Sequence, residues 1–260
     1  MDTNALVGTH DIALIVLDTL RYDVAVEELA AGRTPNLAAL IGAWEERHSP
    51  GTFTYAAHAA FFAGFLPTPA RPGRHARRFA LRFEGSATTA AGTCVLDGAT
   101  IVEGLAARGY HTLCVGGTGF FNRENPLGAA FPALFAEAHW SRRTGVTDPH
   151  SFEHQIEVVA TALAALPADR RAFTFVNVAA LHQPNHFYLE GSHGDSRASH
   201  AAALRYVDAH VPRLVAALRR APLFVIICSD HGTLYGEDGY HGHRIAHPLV
   251  TTVPYAELLA

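Results

Sequence analysis

The sequence predicts an α/β fold with a mostly parallel central sheet, and three apolar runs are the main evidence. The runs are DIALIVL at 11–17, AFTFVNV at 172–178 and LFVIIC at 223–228. Continuous apolar segments of this length are typical of strands that helices cover on both faces. Each run is followed by polar residues, as expected where parallel strands deliver ligand-binding groups to one edge of a sheet.

The remaining elements follow from spacing and from end signals. Helices are predicted where apolar residues recur at helical spacing, over 24–31, from Pro35, and over 55–63, 101–108, 151–166 and 196–220. We expect the His200 and His210 side chains to lie on the surface of the last of these helices. Further strands are predicted at 110–115 and at 249–253, the latter closed by Pro254, and the aromatic-rich segment 120–140 is predicted to be helix plus loop.

Length and composition indicate one domain and exclude several functional classes. The chain has 260 residues, enough for a full core, and we expect a single domain over 1–260 with irregular excursions at about 68–98 and 116–150. The net charge of −4 and the lack of a concentrated basic run argue against nucleic acid as a partner. We find neither a signal-peptide pattern nor an apolar run of about 18 residues, so we expect no membrane segment. Three scattered cysteines suit a reducing compartment, and we expect a cytoplasmic protein.

The residues after the three buried strands are candidate metal ligands. Asp18 follows the first strand, His182 and His186 follow the second, and Asp230 and His231 follow the third. Carboxylates and imidazoles gathered at one edge form a plausible divalent-metal site, and the total of seventeen histidines suits transition-metal chemistry. From these segments alone, Asp18 could equally cap the helix at 24–31, and Asp230 could cap a turn.

Thr54 begins the predicted helix at 55–63 and has two possible roles. A hydroxyl at this position is usually an N-cap. The alternative is a nucleophile, because a helix N-terminus stabilises an alkoxide and offers backbone amides to phosphate or sulfate oxygens. Two carboxylates and several imidazoles could hold two divalent ions about 4 Å apart, which suits phosphoryl transfer.

Four segments resemble the alkaline phosphatase superfamily, in its sulfatase and nucleotide pyrophosphatase/phosphodiesterase-like branch. They are ALIVLDTLRYD at 13–23, TPNL at 34–37, PGTFTYAAHAAFFAGFLP at 50–67 and SDHG at 229–232, in the family's order. The resemblance implies a three-layer α/β/α sandwich of the alkaline phosphatase type. It also implies that Thr54 is the nucleophile, that one metal is held by Asp18, Thr54, Asp230 and His231, and that a second falls to His182, His243 and His186.

The sequence departs from the family pattern in ways that affect the chemistry. Position 54 is Thr rather than Cys or Ser, which argues against a formylglycine sulfatase, and Ala57 stands where the phosphodiesterase branch has an asparagine. LHQPNH replaces the acid-containing ligand segment for the second metal, and an all-imidazole set favours Zn, Mn or Fe over Mg. His247 competes with His243 as the last ligand.

These observations predict a metal-dependent hydrolase of small phosphate esters, of the phosphodiesterase or phosphatase type. Thr54 attacks phosphorus, one or two divalent ions (Zn, with Mn or Fe as alternatives) assist, and Arg21 and His58 contact a small anionic substrate. One alternative is sulfate or phosphonate ester hydrolysis, or transfer to an acceptor other than water. Another is a non-catalytic metal-binding protein that acts as a partner in a biosynthetic pathway. The sequence leaves the oligomeric state open, a homodimer included.

Overall fold

The computed structural model describes residues 2–64 and 99–260. The predicted excursion at 68–98 therefore lies outside the described residues. In this part of the chain a seven-stranded sheet has the order β2-β9-β6-β1-β5-β3-β4, and a two-stranded sheet pairs β7 with β8. The strands are β1 Asp11–Leu17, β2 Glu45–His48, β3 His111–Val115, β4 Glu137–His139, β5 Ala172–Val178, β6 Leu223–Cys228, β7 Leu234–Tyr235, β8 His241–Gly242 and β9 Thr252–Leu259.

Five neighbouring strands of the large sheet are parallel, and the three strands predicted from apolar runs lie side by side at its centre. β1 pairs in parallel with β5 on one side and with β6 on the other. β3 and β4 continue the parallel part beyond β5, whereas β9 and β2 form an antiparallel edge beyond β6. The carboxyl ends of β1, β5 and β6 therefore open at one edge of the sheet, as the sequence predicts.

Helices cover both faces of the sheet and complete the predicted three-layer α/β/α sandwich. They are α1 Tyr22–Ala30, α2 Pro35–Ile41, α3 Thr54–Ala63, α4 Ile101–Ala107, α5 Pro126–Ala130, α6 Ser151–Ala164, α7 Arg197–Leu218 and α8 Pro248–Thr251. One apolar core lies between the sheet and α1, α2, α6 and α7. A second core, rich in phenylalanine, lies between the opposite face, α3 and α4, and it includes Phe121, Phe131 and Phe135. Successive side chains of a strand point to opposite faces of the sheet and so enter the two cores in turn. The central strands are therefore apolar throughout.

The final strand differs from its prediction. It spans Thr252–Leu259 rather than 249–253, and it continues through Pro254. The Ser229 amide donates to the Pro254 carbonyl at 3.0 Å, immediately beyond the end of β6. In an antiparallel pair, the amide and the carbonyl of one residue face the same neighbouring strand. The position where Pro254 lacks an N–H group therefore faces Ser229, just beyond the end of β6, and no hydrogen bond between the strands is lost.

Two further predictions need correction, one for the 120–140 segment and one for His200. The 120–140 segment is not simply helix plus loop, since residues 137–139 form strand β4 at the sheet edge. The predicted excursion at 116–150 also contains the short helix α5 and three single 3₁₀ turns. His200 is fully buried rather than at the surface, and its Nδ1 bonds to the Tyr235 hydroxyl at 3.1 Å beneath α1.

Within 2–64 and 99–260, the helices are too short or too polar to cross a membrane.

Glu28 of α1 pairs with two arginines, Arg33 in the segment after α1 and Arg205 of α7. Its carboxylate accepts hydrogen bonds from Arg33 at 2.7 and 2.9 Å and from Arg205 at 2.7 Å. The Glu28 side chain is only 3% exposed, while both guanidinium groups are about two-fifths exposed. Burial alone would raise the pKa of Glu28, but the two arginines outweigh it and hold the pKa at about 2, below the ordinary 4.5.

We expect Glu28→Gln to destabilise the protein at pH 7 by about 1–3 kcal/mol, a range discounted for the exposed arginines. A carboxylate whose pKa is depressed in the folded state stabilises above its unfolded pKa and loses that contribution as pH falls towards the folded pKa. The difference between wild type and variant should therefore narrow as pH falls below about 5. Urea unfolding at several pH values measures it. Glu27→Gln is the control, since Glu27 is 52% exposed and should change stability by less than about 0.5 kcal/mol. Equal losses for the two variants would contradict the prediction.

Candidate metal centre

Asp18, Asp230 and His231 meet at the carboxyl ends of β1 and β6. One ligand atom from each lies within 4.8 Å of the other two, and all three side chains are fully buried. The cluster forms because β1 and β6 are adjacent parallel strands, so the residues that follow Leu17 and Cys228 emerge side by side. Residues more than two hundred positions apart in the sequence therefore share one site.

Asp18 is not a helix cap. Helix α1 has Arg21 at its N-cap, with no side-chain capping bond. Instead, the Asp18 Oδ2 atom accepts a hydrogen bond from the Asn177 amide at 2.8 Å, and its Oδ1 atom is buried without a partner among the described residues. Burial, followed by the nearby Asp230 carboxylate, raises the pKa of Asp18 to about 6. An orphaned buried carboxylate oxygen of this kind requires a proton or a cation.

Asp230 presents a second orphaned oxygen to the same place. Its Oδ1 atom accepts hydrogen bonds from the Thr19 amide at 3.1 Å and the His231 amide at 3.0 Å. Its Oδ2 atom is buried and has no hydrogen-bond partner in the described chain, and burial raises the pKa of Asp230 to about 7. The backbone amides fix the carboxylate and leave one oxygen directed at the cluster. Two such oxygens fit a divalent cation, which would supply the missing charge.

His231 has the tautomer that a metal ligand needs. Its Nδ1 atom donates to the Gly232 carbonyl at 2.8 Å, which leaves the Nε2 lone pair facing the carboxylates, 3.4 Å from Asp230 Oδ2 and 3.8 Å from Asp18 Oδ1. Burial lowers the pKa of His231, and the neutral form can bind a metal. Gly232 is required at this turn, because a Cβ there would lie 2.0 Å from the Leu249 carbonyl oxygen.

Thr54 is the first residue of α3, but its hydroxyl does not cap the helix. Phe53 is the N-cap residue, with no side-chain capping bond. The Thr54 Oγ1 atom lies 3.3 Å from His231 Nε2, the nitrogen that also faces both carboxylates. The hydroxyl and the two carboxylates therefore all lie near this one nitrogen, and the ligand set that the family resemblance implies stays a prediction.

His58 lies directly behind Thr54, one helical turn along α3. Its Nδ1 atom donates to the Thr54 carbonyl at 2.8 Å and lies 3.6 Å from Asp230 Oδ2. The ring is fully buried, and burial lowers the pKa of His58 to about 3. Its ring is surrounded by Phe61, Phe62, Phe121, Phe131 and Phe175. The imidazole thus supports the start of α3 from within the core, and its predicted contact with substrate stays a prediction.

His182 and His243 extend the cluster on one side. The His243 ring lies 4.6 Å from the His231 ring and 5.5 Å from the His182 ring, measured between centroids. His182 Nδ1 donates to the Gln183 carbonyl at 2.5 Å, which leaves Nε2 available, and His243 Nδ1 is buried without a partner within the described residues. Burial and the neighbouring His231 lower the pKa of His243 to about 3. Neutral imidazoles in this arrangement could hold a second ion or contact a phosphoryl oxygen.

The sulfatase family model matches residues 10–255 of the chain. The chain belongs to the sulfatase family. Among solved structures, it is similar to the C-terminal periplasmic domain of phosphoethanolamine transferase EptC from Campylobacter jejuni, with a TM-score of 0.63 and 14% identity over 96% of this chain and 80% of that one. A second similar structure is the C-terminal periplasmic domain of EcEptC from Escherichia coli in complex with Zn, with a TM-score of 0.61 and 12% identity over 97% of this chain and 74% of that one.

The chain also resembles part of a longer protein. It covers 48% of the integral membrane protein lipooligosaccharide phosphoethanolamine transferase A from Neisseria meningitidis, with 97% of its own length aligned, a TM-score of 0.63 and 16% identity. At these identities the likeness shows the alkaline phosphatase-like fold. No curated protein matches this sulfatase-family chain.

Two histidines proposed from the sequence as metal ligands, His186 and His247, contact carboxylates outside the cluster. The His186 Nδ1 atom lies 3.3 Å from the Asp195 carboxylate, and the imidazole is 38% exposed. Pro184 prevents a regular helix, and 3₁₀ turns at 179–181 and 186–188 replace the arrangement that would put His182 and His186 on one face. His247 Nε2 lies 3.1 Å from Asp238. His186 and His247 as ligands stay predictions.

Arg21 is engaged by acids of the protein itself. Its guanidinium is 3% exposed and pairs with Asp23 at 2.7 Å and with Glu237. The contact with Glu237 ties the start of α1 to the connection between β7 and β8. The role of Arg21 in substrate binding stays a prediction.

Sequence reasoning missed two residues of the site. Asn177 is a buried amide in a strand that is otherwise apolar, and that contrast was the available signal, since a buried amide needs partners. Arg244 is exposed, has a φ of 71° and places its guanidinium carbon 5.1 Å from the centre of the Phe53 ring. Its amide donates to the Thr52 carbonyl at 2.7 Å, which fixes it beside the loop that carries Thr54. No sequence pattern indicated this placement.

Proposed function

We propose that the protein is a metal-dependent phosphate-ester hydrolase in which Thr54 is the nucleophile. The proposal depends on the position of the Thr54 hydroxyl. This hydroxyl does not cap α3, and it lies 3.3 Å from His231 Nε2, the nitrogen that faces both carboxylates. A weak hydroxyl nucleophile needs activation, and a helix N-terminus beside a cation site is where activation is available.

Asp18, Asp230, His231 and the Thr54 hydroxyl would hold the first ion, and their mixed oxygen and nitrogen donors suit zinc, with Mn or Fe as alternatives. The similar EcEptC structure is a complex with Zn. When bound, the cation would lower the pKa of the hydroxyl and stabilise charge on the phosphoryl oxygens. His182 and His243 would hold a second ion or contact the phosphoryl group.

The groups of the chain itself suit a two-step displacement. The Thr54 oxygen forms a bond to phosphorus while the bond to the leaving alcohol breaks, and the alcohol departs with a proton. The first amides of α3 have no intrahelical partners and can donate to phosphoryl oxygens. Water then attacks the phosphorylated Thr54, releases the phosphate product and restores the hydroxyl.

Transfer to an alcohol instead of water is a second candidate, favoured by the similar structures. EptC and transferase A are phosphoethanolamine transferases by name. The first step is the same in both cases, and only the acceptor of the second step differs. The two candidates therefore share Thr54 and the metal centre.

A substrate panel tests the proposal. Purified protein is loaded with Zn or Mn and assayed on bis-p-nitrophenyl phosphate, phosphate monoesters, sulfate esters and phosphonate esters, with and without ethanolamine and glycerol as acceptors. We expect phosphate esters to turn over most rapidly. A transferred product that forms at the expense of free phosphate product would favour the transferase. Metal binding without turnover of any ester would contradict both.

Arg244 offers a cation to the substrate. No carboxylate pairs with it in the described parts of the chain, and it stacks on Phe53 next to Thr54. We expect Arg244→Ala to raise KM for anionic substrates about 10-fold with little change in kcat, because the lost contact binds ground state and transition state alike. Steady-state kinetics on one anionic ester measures both constants.

Arg47→Ala is the matched control for this prediction. Arg47 also stacks on a ring, Tyr255, at 5.1 Å, but it is paired with Glu45 on β2. Its removal should leave KM unchanged. If Arg244→Ala and Arg47→Ala have the same effect on KM, the contact between Arg244 and substrate is wrong.

A further inference from the structure

The Gly-Gly-Thr turn at 116–118, which follows β3, holds the side chain of Asn177. The backbone amides of Gly117 and Thr118 donate to the Asn177 Oδ1 atom at 3.3 and 3.1 Å. Because both donors are backbone amides, only the oxygen of the Asn177 amide can face the turn. The orientation of the amide is thereby fixed.

This orientation directs the NH₂ group of Asn177 at Asp18. Its Nδ2 atom donates to Asp18 Oδ2 at 2.8 Å, and both side chains are fully buried. With Oδ2 engaged, the other oxygen, Oδ1, is the one directed at His231 Nε2, 3.8 Å away. The hydrogen bond therefore decides which Asp18 oxygen is available to the cluster.

The backbone around Asn177 is held equally closely. A Cβ on Gly117 would lie 2.5 Å from the Asn177 carbonyl oxygen and 2.5 Å from the Ala179 Cβ, so only glycine permits this approach of the turn to β5. The Gln155 side chain donates to the same carbonyl at 2.6 Å. Asn177 is thus held by the turn after β3 and by Gln155 of α6, in addition to its contact with Asp18.

We infer that Asn177 is a positioning residue for the metal centre, and that the 116–118 turn serves to set its amide. The inference rests on the proposed metal site. Partners that orient a metal-binding side chain affect affinity strongly, and their loss typically lowers it 10–100-fold. The glycine-rich turn lacks the spacing of a nucleotide-binding motif, and its function in this inference is to orient the Asn177 amide.

Asn177→Asp tests the inference on the full chain. The variant keeps the shape of the side chain and an acceptor for the Gly117 and Thr118 amides, but it removes the donor to Asp18. We expect the zinc affinity, measured by competition with a chromophoric chelator, to fall 10–100-fold. The visible spectrum of the Co²⁺-loaded protein should also change, because it reports the ligand geometry. Asn177→Ala removes the donor without adding a charge and should show the same direction of change.

Thr174→Val is the control, since Thr174 is a buried polar residue of the same strand, and a residue three positions before Asn177 lies on the opposite face of the sheet. It should keep the wild-type zinc affinity and Co²⁺ spectrum. Wild-type affinity and spectrum in both Asn177 variants would overturn the inference while leaving the proposed function intact. Failure of both variants to fold, with Thr174→Val folded, would assign Asn177 a structural role and also overturn it. A wild-type protein that binds no zinc or cobalt would instead refute the metal site itself.

Discussion

Thr54→Ala is expected to lower turnover of phosphate esters by about 10³-fold or more while leaving zinc bound. The loss is large because the hydroxyl oxygen is the atom that would form the covalent bond to phosphorus, and within residues 2–64 and 99–260 no other hydroxyl bonds to His231 Nε2. Zinc remains because Asp18, Asp230 and His231 still surround the site. Initial rates and zinc content of the same preparation measure the two effects separately.

Two variants make this result specific to the hydroxyl. Thr54→Ser keeps an oxygen at the start of α3 and should retain measurable turnover. Thr52→Ala removes a neighbouring threonine of the same loop and should leave the rate unchanged. Intact-mass analysis after rapid quenching should detect a phosphoryl adduct on wild type and Thr54→Ser, and none on Thr54→Ala. Full turnover by Thr54→Ala would refute the nucleophile.

The central fold could be predicted because burial on both faces gives a distinct sequence pattern. The three apolar runs became the adjacent strands β5, β1 and β6, and parallel pairing placed Asp18 and Asp230 together. The same argument placed His182 near them, at the end of β5. These predictions needed only the rule that parallel strands open at one edge.

The elements that were missed depend on tertiary contacts. β4 has three residues, half-buried throughout, which are too few for a period to be recognised. His200 lies on an amphipathic helix at a position that looks like a polar stripe, but the Tyr235 hydroxyl and the Arg21 amide, both distant in sequence, contact its ring in the interior. A proline such as Pro254 normally predicts the end of a strand. Here β9 continues through it because the neighbouring strand, β6, has already ended, and the sequence does not reveal this pairing.

The histidines around the acid cluster were harder to predict, because several histidines close together in the sequence are candidates for the same position. His243 and His247 lie four residues apart, and only the fold directs His243 to His182 and His231 while His247 lies beside Asp238. His186 looked equivalent to His182 but lies beside Asp195. Local composition cannot distinguish a metal ligand from a histidine that contacts a carboxylate outside the cluster, whereas the orientation of each imidazole can.

Asp230→Asn is expected to lower zinc affinity by more than about 100-fold, beyond the loss expected for a residue that only orients a ligand. The amide oxygen can keep the bonds from the Thr19 and His231 amides, so the NH₂ group takes the place of Oδ2. A donor then occupies the position that would face the cation. Chelator competition measures the affinity.

The same substitution should stabilise the metal-free protein by about 1–3 kcal/mol. Wild type buries the Asp18 and Asp230 carboxylates together, with an orphaned oxygen on each, whereas the new amide can donate to His231 Nε2, which lies 3.4 Å from the replaced atom. Urea unfolding with and without chelator measures this. Asp238→Asn is the control, because Asp238 is 77% exposed and should change neither quantity. If the site holds a cation, Asp230→Asn should lower the zinc affinity and raise the stability of the metal-free protein. A loss of both affinity and stability would mean that Asp230 supports the fold rather than a metal.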